Sequence, residues 1–316
     1  MTLTGPRVRA IRAFEGWRAL RHRNYRLFFA GQLISLVGTW MQSLAQGWLV
    51  LLLTHEAWVL GLVAAAQFTP VLILGLFGGL IADAAPKRRI LVATQTGAMV
   101  LAFALWVLTA SGVVEVWHVI VLALALGVVN AIDMPTRQAF AVEMVGRRDI
   151  GNAVALNSAM FNSARIIGPA VGGLAIGAFG TSTAFLLNGF SFLAVIAGLL
   201  LMRDSELHTP PPIARPSSVE GVVHNLAEGL RYVRRTHTVL LAITVIGLVS
   251  TFGMNFSVLT PPLTVELLNG DAITYGFLMT AMGVGSLLAA LAIAFSGRTG
   301  PRVIGGGALV LGLSEI

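Results

Sequence analysis

Long apolar runs alternate with short polar segments along the chain. Crossing a hydrocarbon core of about 30 Å takes roughly 20 apolar residues in a helix, because each residue adds about 1.5 Å. Runs of this length cover residues 27–53, 57–82, 90–110, 116–136, 152–177, 182–202, 238–265 and 273–296, and a further run begins near Val303. The pattern therefore predicts an all-α membrane protein with at least eight transmembrane helices.

Positive charge lies on one side of this pattern. Twenty of the 21 Lys and Arg residues fall in the N-terminal arm or in every second loop. The other loops, near His55, Glu115, Gly180 and Asp271, contain none. Because positively charged loops resist translocation, we expect the N-terminus and the basic loops to be cytoplasmic. Lys87 is the single Lys beside twenty Arg residues, which favours a GC-rich bacterial source and hence the bacterial cytoplasmic (inner) membrane.

Changes of composition divide the chain into four parts. Residues 1–26 form a basic arm, and residues 27–202 contain six predicted helices. Residues 203–237 form a proline-containing linker in which apolar residues recur at helical spacing between 219 and 233. This spacing predicts an amphipathic helix on the membrane surface, with a solvated linker helix as the alternative. Residues 238–316 contain two predicted helices and part of a third.

The composition excludes several classes of protein. The chain is 56% hydrophobic and 11% charged, whereas a soluble domain is about a quarter charged. The net charge of +7 does not indicate nucleic-acid binding, because the basic residues form short clusters between apolar runs. There are no cysteines, which excludes disulfides, thiolate metal sites and thiol nucleophiles. Without a His-Glu-x-x-His motif or an acid pair inside a run, we expect no enzyme, metal site or cofactor.

Polar residues inside the runs indicate an internal cavity, because lipid offers them no hydrogen bonds. In the fifth run Arg165 follows Asn162 by about one turn and lies roughly 18 Å past the start of the run. A central Arg costs about 2.5–3.5 kcal/mol on insertion scales, so it should face water or a partner. The first run has a polar stripe formed by Gln32, Ser35, Thr39, Gln42 and Gln46. The residues predicted to line a substrate cavity are Thr39, Gln42, Gln46, Asn162 and Arg165. The alternative for Arg165 is a structural role, bonded to backbone carbonyls or to the stripe.

The loop after the second run reads Gly79-Leu80-Ile81-Ala82-Asp83-Ala84-Ala85-Pro86-Lys87-Arg88. It resembles the signature loop of the major facilitator superfamily, although Ala84 and Pro86 depart from that pattern. The resemblance implies that Asp83 belongs to a cytoplasmic charge network that latches two six-helix halves together. The alternative is a loop that is basic only for topology. Near the end of the fourth run, Asp133 and Arg137 are four residues apart and can pair. The residues assigned to this latch are Gly79, Asp83, Lys87, Arg88, Asp133 and Arg137.

The fifth run contains Gly168-Pro169-Ala170-Val171-Gly172-Gly173. Small residues let helices approach closely, and Pro169 removes one backbone hydrogen bond and permits a bend. The segment is similar to the fifth-helix signature of exporters in the same superfamily, which implies that Gly168, Pro169, Gly172 and Gly173 form a helix-bend motif.

Further segments, including Gly38-Thr39-Trp40-Met41 and Asp133-Met134-Pro135-Thr136-Arg137, resemble the exporter branch that includes the enterobactin exporter and macrolide-type efflux proteins. The resemblance implies a major facilitator type helical bundle with a six-helix N-terminal half and a partial second half. It also implies a secondary active exporter of an amphiphilic small molecule, siderophore or drug-like, that works by alternating access with the proton as coupling ion. Because the predicted helices do not complete two halves, we expect the chain to be C-terminally incomplete. The alternative is a truncated, non-transporting or regulatory membrane protein.

Overall fold

The computed structural model describes residues 17–208, 227–229, 231–248, 250–251, 256–296 and 306, with side chains at all of these except 76–84, 290 and 293–296. Within these ranges the chain forms helices joined by short turns, and none of the described residues lies in a β-strand. The prediction of an all-α protein is confirmed.

Nine helices can be labelled among the described residues. We call residues 17–208 the first half and the described residues from 227 onward the second half. The helices of the first half are α1 Arg23–Thr54, α2 Ala57–Ala84, α3 Lys87–Ala110, α4 at 116–145 and α5 at 147–179, both within the helical segment Val116–Phe179, and α6 Thr181–Leu200. In the second half they are α7 His237–Leu248, α8 Phe256–Glu266 and α9 Ala272–Ser296. Short 3-10 turns at Arg18–Arg21 and Asp204–Glu206 flank the first half.

A single residue, Gly146, separates α4 from α5. Its φ of 71° lies in the left-handed region that favours glycine, so the 64-residue segment is broken there instead of extending for about 96 Å. The apolar runs place a connection of about fifteen residues here, whereas the structure continues α4 to residue 145. Phe140, Met144 and Val145 are buried in the core of the first half, which explains the longer helix.

The described helices have the lengths and surfaces of a membrane bundle. By length and composition, six helical segments are able to cross a membrane: α1, α2, α3, the Val116–Phe179 segment that contains α4 and α5, α6 and α9. Large apolar side chains face outward, including Leu72 at 81% exposure and Phe179 at 76%. Lipid accommodates such a surface, whereas soluble proteins rarely expose a large contiguous apolar patch.

Helix α1 packs against α6 along an antiparallel seam of glycines. A Cβ at Gly31 would lie 2.5 Å from the carbonyl oxygen of Ala194, and one at Gly198 would lie 2.8 Å from that of Leu27. The two backbones are therefore in direct contact, as expected where small residues replace hydrophobic side chains between membrane helices.

Helix α5 contacts α1 on one side and α9 on another. Tyr25 near the start of α1 donates a hydrogen bond of 2.9 Å to the carbonyl of Ala153 near the start of α5, so these two helices run in parallel. Along α9 the direction is reversed, because Gly173 meets Gly276 whereas Ile166 meets Gly283. Through α5, the second half is thus attached to the first.

Several predictions concern residues outside the described ranges. Of the basic arm, 1–16 lie outside them, as does nearly all of the run that begins near Val303. Residues 219–226 of the predicted amphipathic helix also lie outside the described ranges, whereas residues 227–229 and 231–235 are helical.

The glycine seam predicts a difference between two Gly→Ala substitutions. At Gly31 the new Cβ has to displace the backbone of α6, so we expect the free energy of unfolding to fall by about 1–2 kcal/mol. At Gly61 of α2 no atom lies within 4 Å of the new Cβ, and we expect no loss or a gain of up to about 1 kcal/mol from helix propensity. Thermal unfolding in detergent measures both variants. Equal stability of Gly31→Ala and Gly61→Ala would contradict the close approach of α1 and α6.

Candidate functional site

The two ends of the bundle differ in charge. The starts of α1, α3 and α5 meet the ends of α4 and α6 at one end, where Lys87 contacts Glu143 and Arg88 contacts Asp204. We call this end the basic face. At the other end, the opposite face, Gly177 of α5 meets Ile273 of α9.

The polar stripe on α1 divides between two environments. Gln32, Ser35 and Gln42 are buried, whereas Thr39 and Gln46 are half-buried. At 100° per residue the stripe covers about 80° of the helix circumference, and one edge of it faces the glycine seam with α6. The sequence predicted that the stripe avoids lipid, but not that α6 covers its edge at Gln42.

Gln42 belongs to a buried hydrogen-bond cluster between α1 and α6. Asn188 Nδ2 donates to Gln42 Oε1 at 2.7 Å, and Ser191 Oγ donates to the Asn188 carbonyl at 2.8 Å. Because all three residues are at most 8% exposed, this cluster stabilises the helix contact and positions Gln42. Sequence reasoning missed Asn188 and Ser191, although two polar residues one turn apart in an apolar run are a usable signal.

The helix-bend motif places small residues at both contacts of α5. Gly168 faces Trp40 of α1, and a Cβ there would lie 2.8 Å from the carbonyl oxygen of Val37. Gly172 faces Met41, while Gly173 faces α9, where its Cβ would lie 2.8 Å from the carbonyl oxygen of Ala272. Pro169 is buried in the middle of α5, and helical structure continues on both sides of it. The motif is therefore the part of α5 where two other backbones approach most closely.

Arg165 lies where the contact between α5 and α9 ends. Thr280 of α9 donates to the carbonyl of Ile166 at 3.2 Å, and Gly283 faces Arg165 and Ile166. Further toward the basic face, Ser158 of α5 and Leu288 of α9 are exposed. We call the side of α5 and α9 that carries these exposed residues, from Arg165 toward the basic face, the cleft.

Arg165 is a cation without an acidic partner among the described residues. Its side chain is half-buried, and its Nε is buried without a hydrogen bond. Asn162, one turn nearer the basic face, uses its amide N–H on the carbonyl of Ser158 at 2.8 Å. The ring of Phe161 packs edge-on against Trp40 with centroids 5.6 Å apart. The turns of α5 at the inner end of the cleft thus carry a positive charge, an amide group and an aromatic ring that packs on Trp40.

Asp133 forms the predicted pair with Arg137 and is buried more deeply than the sequence suggested. It is 1% exposed and contacts Arg137 in the adjacent turn. Thr94 and Gln95 of α3 also donate to Asp133 Oδ1, at 2.7 and 2.8 Å. Three donors satisfy this carboxylate, which therefore fastens α4 to α3.

The basic pair of the loop signature also bonds within the first half. Lys87 Nζ lies 2.8 Å from Glu143 Oε1 at the end of α4. Arg88 donates to the carbonyls of Leu199 and Leu200 at 2.7 and 2.8 Å, so it satisfies free carbonyl groups at the end of α6. Gly79 and Asp83 lie in the last turns of α2, and their side chains are outside the described set.

The start of α1 is held to the start of α5 at the basic face. His22 Nε2 lies 2.9 Å from Asp149 Oδ2, and Arg18 Nε lies 3.8 Å from the same carboxylate. The hydrogen bond from His22 is the largest cause that lowers the pKa of Asp149 below its ordinary value. Among the described residues, no three His, Asp or Glu side chains are placed to hold a metal ion.

Comparison with known proteins gives a consistent set of relatives. A family model described as transmembrane secretion effector matches residues 14–310. The chain is 25% identical over 272 residues to the staphyloferrin A transporter of Staphylococcus aureus, covering 85% of this chain and 66% of that protein. It is 28% identical over 269 residues to the multidrug efflux pump Tap of Mycolicibacterium fortuitum, with coverage of 83% and 64%. It is 23% identical over 282 residues to the enterobactin exporter EntS of Shigella flexneri, with coverage of 88% and 65%. The chain thus spans slightly less than two thirds of the length of these curated relatives.

Two aspartates that pair with an arginine are expected to differ in how much their replacement by asparagine lowers the free energy of unfolding. Asp133→Asn leaves Arg137 without its buried counter-charge, so we expect a loss of about 3–5 kcal/mol in the free energy of unfolding. Asp204 pairs with Arg88 but is 78% exposed, so Asp204→Asn should cost less than about 1 kcal/mol. Thermal unfolding in detergent distinguishes the two. A cost for Asp133→Asn no larger than that for Asp204→Asn would refute the structural role of the buried cluster.

Proposed function

Since the chain belongs to the transmembrane secretion effector family of the major facilitator superfamily, we propose that it acts as a secondary active exporter of an amphiphilic small molecule. Its relatives include a staphyloferrin A transporter, an enterobactin exporter and a multidrug efflux pump. These names support a siderophore or drug-like substrate with both apolar and polar parts. The observation that supports the proposal most is Arg165, a mid-helix cation at the inner end of the cleft without an acidic partner among the described residues.

The orientation follows from the charges. We place the basic face in the cytoplasm of a bacterial cell, with the N-terminus on the same side, because Lys and Arg are retained on the cytoplasmic side of inner-membrane proteins. The opposite face then lies outside. In this orientation the cleft beside Arg165 is reached from the cytoplasm, where an exporter takes up its substrate.

The substrate site is assigned to the cleft. Arg165 is proposed to bind an anionic group of the substrate, with Asn162 beside it and Trp40 and Phe161 against an apolar part. Thr39 and Gln46 are half-buried and are kept as cavity residues. Gln42 is assigned an indirect role, because its amide oxygen is used by Asn188. A charge-assisted hydrogen bond to an otherwise unpaired buried donor contributes about 1.5–3 kcal/mol.

Alternating access requires that the contacts at the opposite face open. Trp48 of α1 stacks on Tyr275 of α9 with ring centroids 6.1 Å apart, and Tyr275 is 1% exposed. Together with the contact of Gly173 and Gly276, this stack closes the outer end between the two halves. The latch is proposed to close the cytoplasmic end in the alternate state through Asp83, whereas Lys87 and Arg88 bond within the first half in this structure.

The proton is proposed as the coupling ion on the basis of the family resemblance. The described part of the first half offers Asp133 as its one deeply buried carboxylate. Thr94, Gln95 and Arg137 already bond to that carboxylate, so we assign it to helix packing instead of proton carriage.

The assignment of Arg165 predicts a charge-selective defect. Arg165→Ala should weaken binding of an anionic probe, carboxyfluorescein, by at least about tenfold, while binding of the cationic probe ethidium changes by less than twofold. Arg165→Lys should retain most of the affinity for the anion. Arg203→Ala is the matched control, because Arg203 is 64% exposed outside the cleft.

Binding is measured by probe anisotropy with purified protein, and transport by uptake into everted vesicles, which corresponds to efflux from the cell. Unchanged carboxyfluorescein affinity in Arg165→Ala would defeat the site assignment. Normal binding without efflux would leave the site in place and count against the export activity of this chain.

Closure of the outer end by Trp48 and Tyr275 predicts from which side of the membrane a reagent reaches the cleft. Because the chain has no cysteine, Ser158→Cys provides a single thiol in the exposed wall of α5. A membrane-impermeant maleimide should label it from the basic-face side and label it slowly from the opposite face. Trp48→Ala should raise labelling from the opposite face severalfold, and Glu115→Cys in an outer loop serves as the positive control. Equal labelling of Ser158→Cys from both sides in the parent background would contradict closure by Trp48 and Tyr275.

A further inference from the structure

A second cavity lies at the basic face, on the outside of the first half. It has a volume of about 760 Å³ and is bounded by the first two turns of α3, the end of α6 and the segment that follows α6. Arg88, Arg89 and Ala93 lie on the α3 side, and Leu200 lies on the α6 side. The geometry points to a binding site for the headgroup of an anionic glycerophospholipid in the adjacent leaflet.

The depth of the cavity matches the boundary between headgroups and hydrocarbon. Helix α6 has 20 residues, about one hydrocarbon thickness, so its last residue, Leu200, lies at this boundary. Arg88 is bonded to the carbonyls of Leu199 and Leu200, which fixes its guanidinium at the same level. The cavity therefore lies where phosphate groups of lipids are found.

Two arginines offer donors to a phosphate. Arg89 is exposed and has no ion pair or side-chain hydrogen bond among the described residues. Arg88 uses three of its five N–H groups, on two carbonyls and on Asp204, so two remain. Asp204 is 78% exposed and is therefore in contact with water, while Glu143 is already paired with Lys87. The charge left without a partner in this cavity is that of Arg89.

The deeper wall of the cavity is apolar. Val92 and Ala93 follow the two arginines by one helical turn, about 6 Å toward the hydrocarbon core, and both line the cavity. Across from them Leu200 is 59% exposed. This arrangement of donors above and apolar side chains below suits a phosphate with attached acyl chains better than a free anion.

Lipid selectivity tests the assignment. The full chain in detergent is mixed with equal amounts of phosphatidylglycerol and phosphatidylcholine of the same acyl chains, and bound lipids are counted by native mass spectrometry. We expect the parent protein to retain phosphatidylglycerol preferentially. Arg89→Ala should lower that preference by about fivefold, the effect of one basic residue near an anionic surface. Arg89→Lys should stay within twofold of the parent.

Two controls separate this site from general surface charge and from a free-anion site. Arg147→Ala removes one exposed charge at the same face outside the cavity, and it should leave the preference within twofold. Glycerol 1-phosphate and inorganic phosphate are titrated against the parent protein and should not displace the lipid at equal concentration. The proposal is overturned by a parent protein without preference, by equal losses in Arg89→Ala and Arg147→Ala, or by displacement with either soluble phosphate. None of these readouts depends on transport activity.

Discussion

Between helices in lipid, close backbone contact has to replace the hydrophobic effect. Hydrocarbon solvates apolar side chains as well as a protein interior does, so association depends on van der Waals contact and on polar groups that lipid leaves unsatisfied. In this chain the small residues of α1, α5 and α9 supply the contact, and the bonds of Gln42 and Asp133 supply the polar part. The backbone contacts converge on α1 and α5, while the bond of Gln42 joins α1 to α6 and those of Asp133 join α4 to α3.

This convergence determines where the candidate site can lie. Helix α5 is held to α1 through Gly168 and Gly172 and to α9 through Gly173, which closes the half of the bundle nearest the opposite face. Arg165 is the first polar side chain beyond that closed region. Arg165, whose charge is costly to place in lipid, therefore lies at the edge of the helix contact, where a ligand or water can reach it.

The sequence predicted the features that follow from the lipid environment, but not those that depend on which helices are adjacent in the fold. Apolar runs and one-sided charge were sufficient for the helices, and four-residue spacing was sufficient for the pair of Asp133 and Arg137. Helical periodicity shows that the polar residues of α1 share a face, but it does not show which helix covers that face. The partners Glu143, Asn188 and Leu200 lie 56 to 146 positions away from Lys87, Gln42 and Arg88 in the chain. Local spacing therefore does not show which residue each of them contacts.

The one-residue junction at Gly146 has a consequence for how this region tolerates changes in length. Adding or removing a single residue there would turn α5 by about 100° relative to α4. Either Asp133 would lose its hydrogen bonds to Thr94 and Gln95, or a residue larger than Gly168 would lie against Trp40. An insertion that an ordinary surface loop absorbs would therefore break one of these two helix contacts at this point.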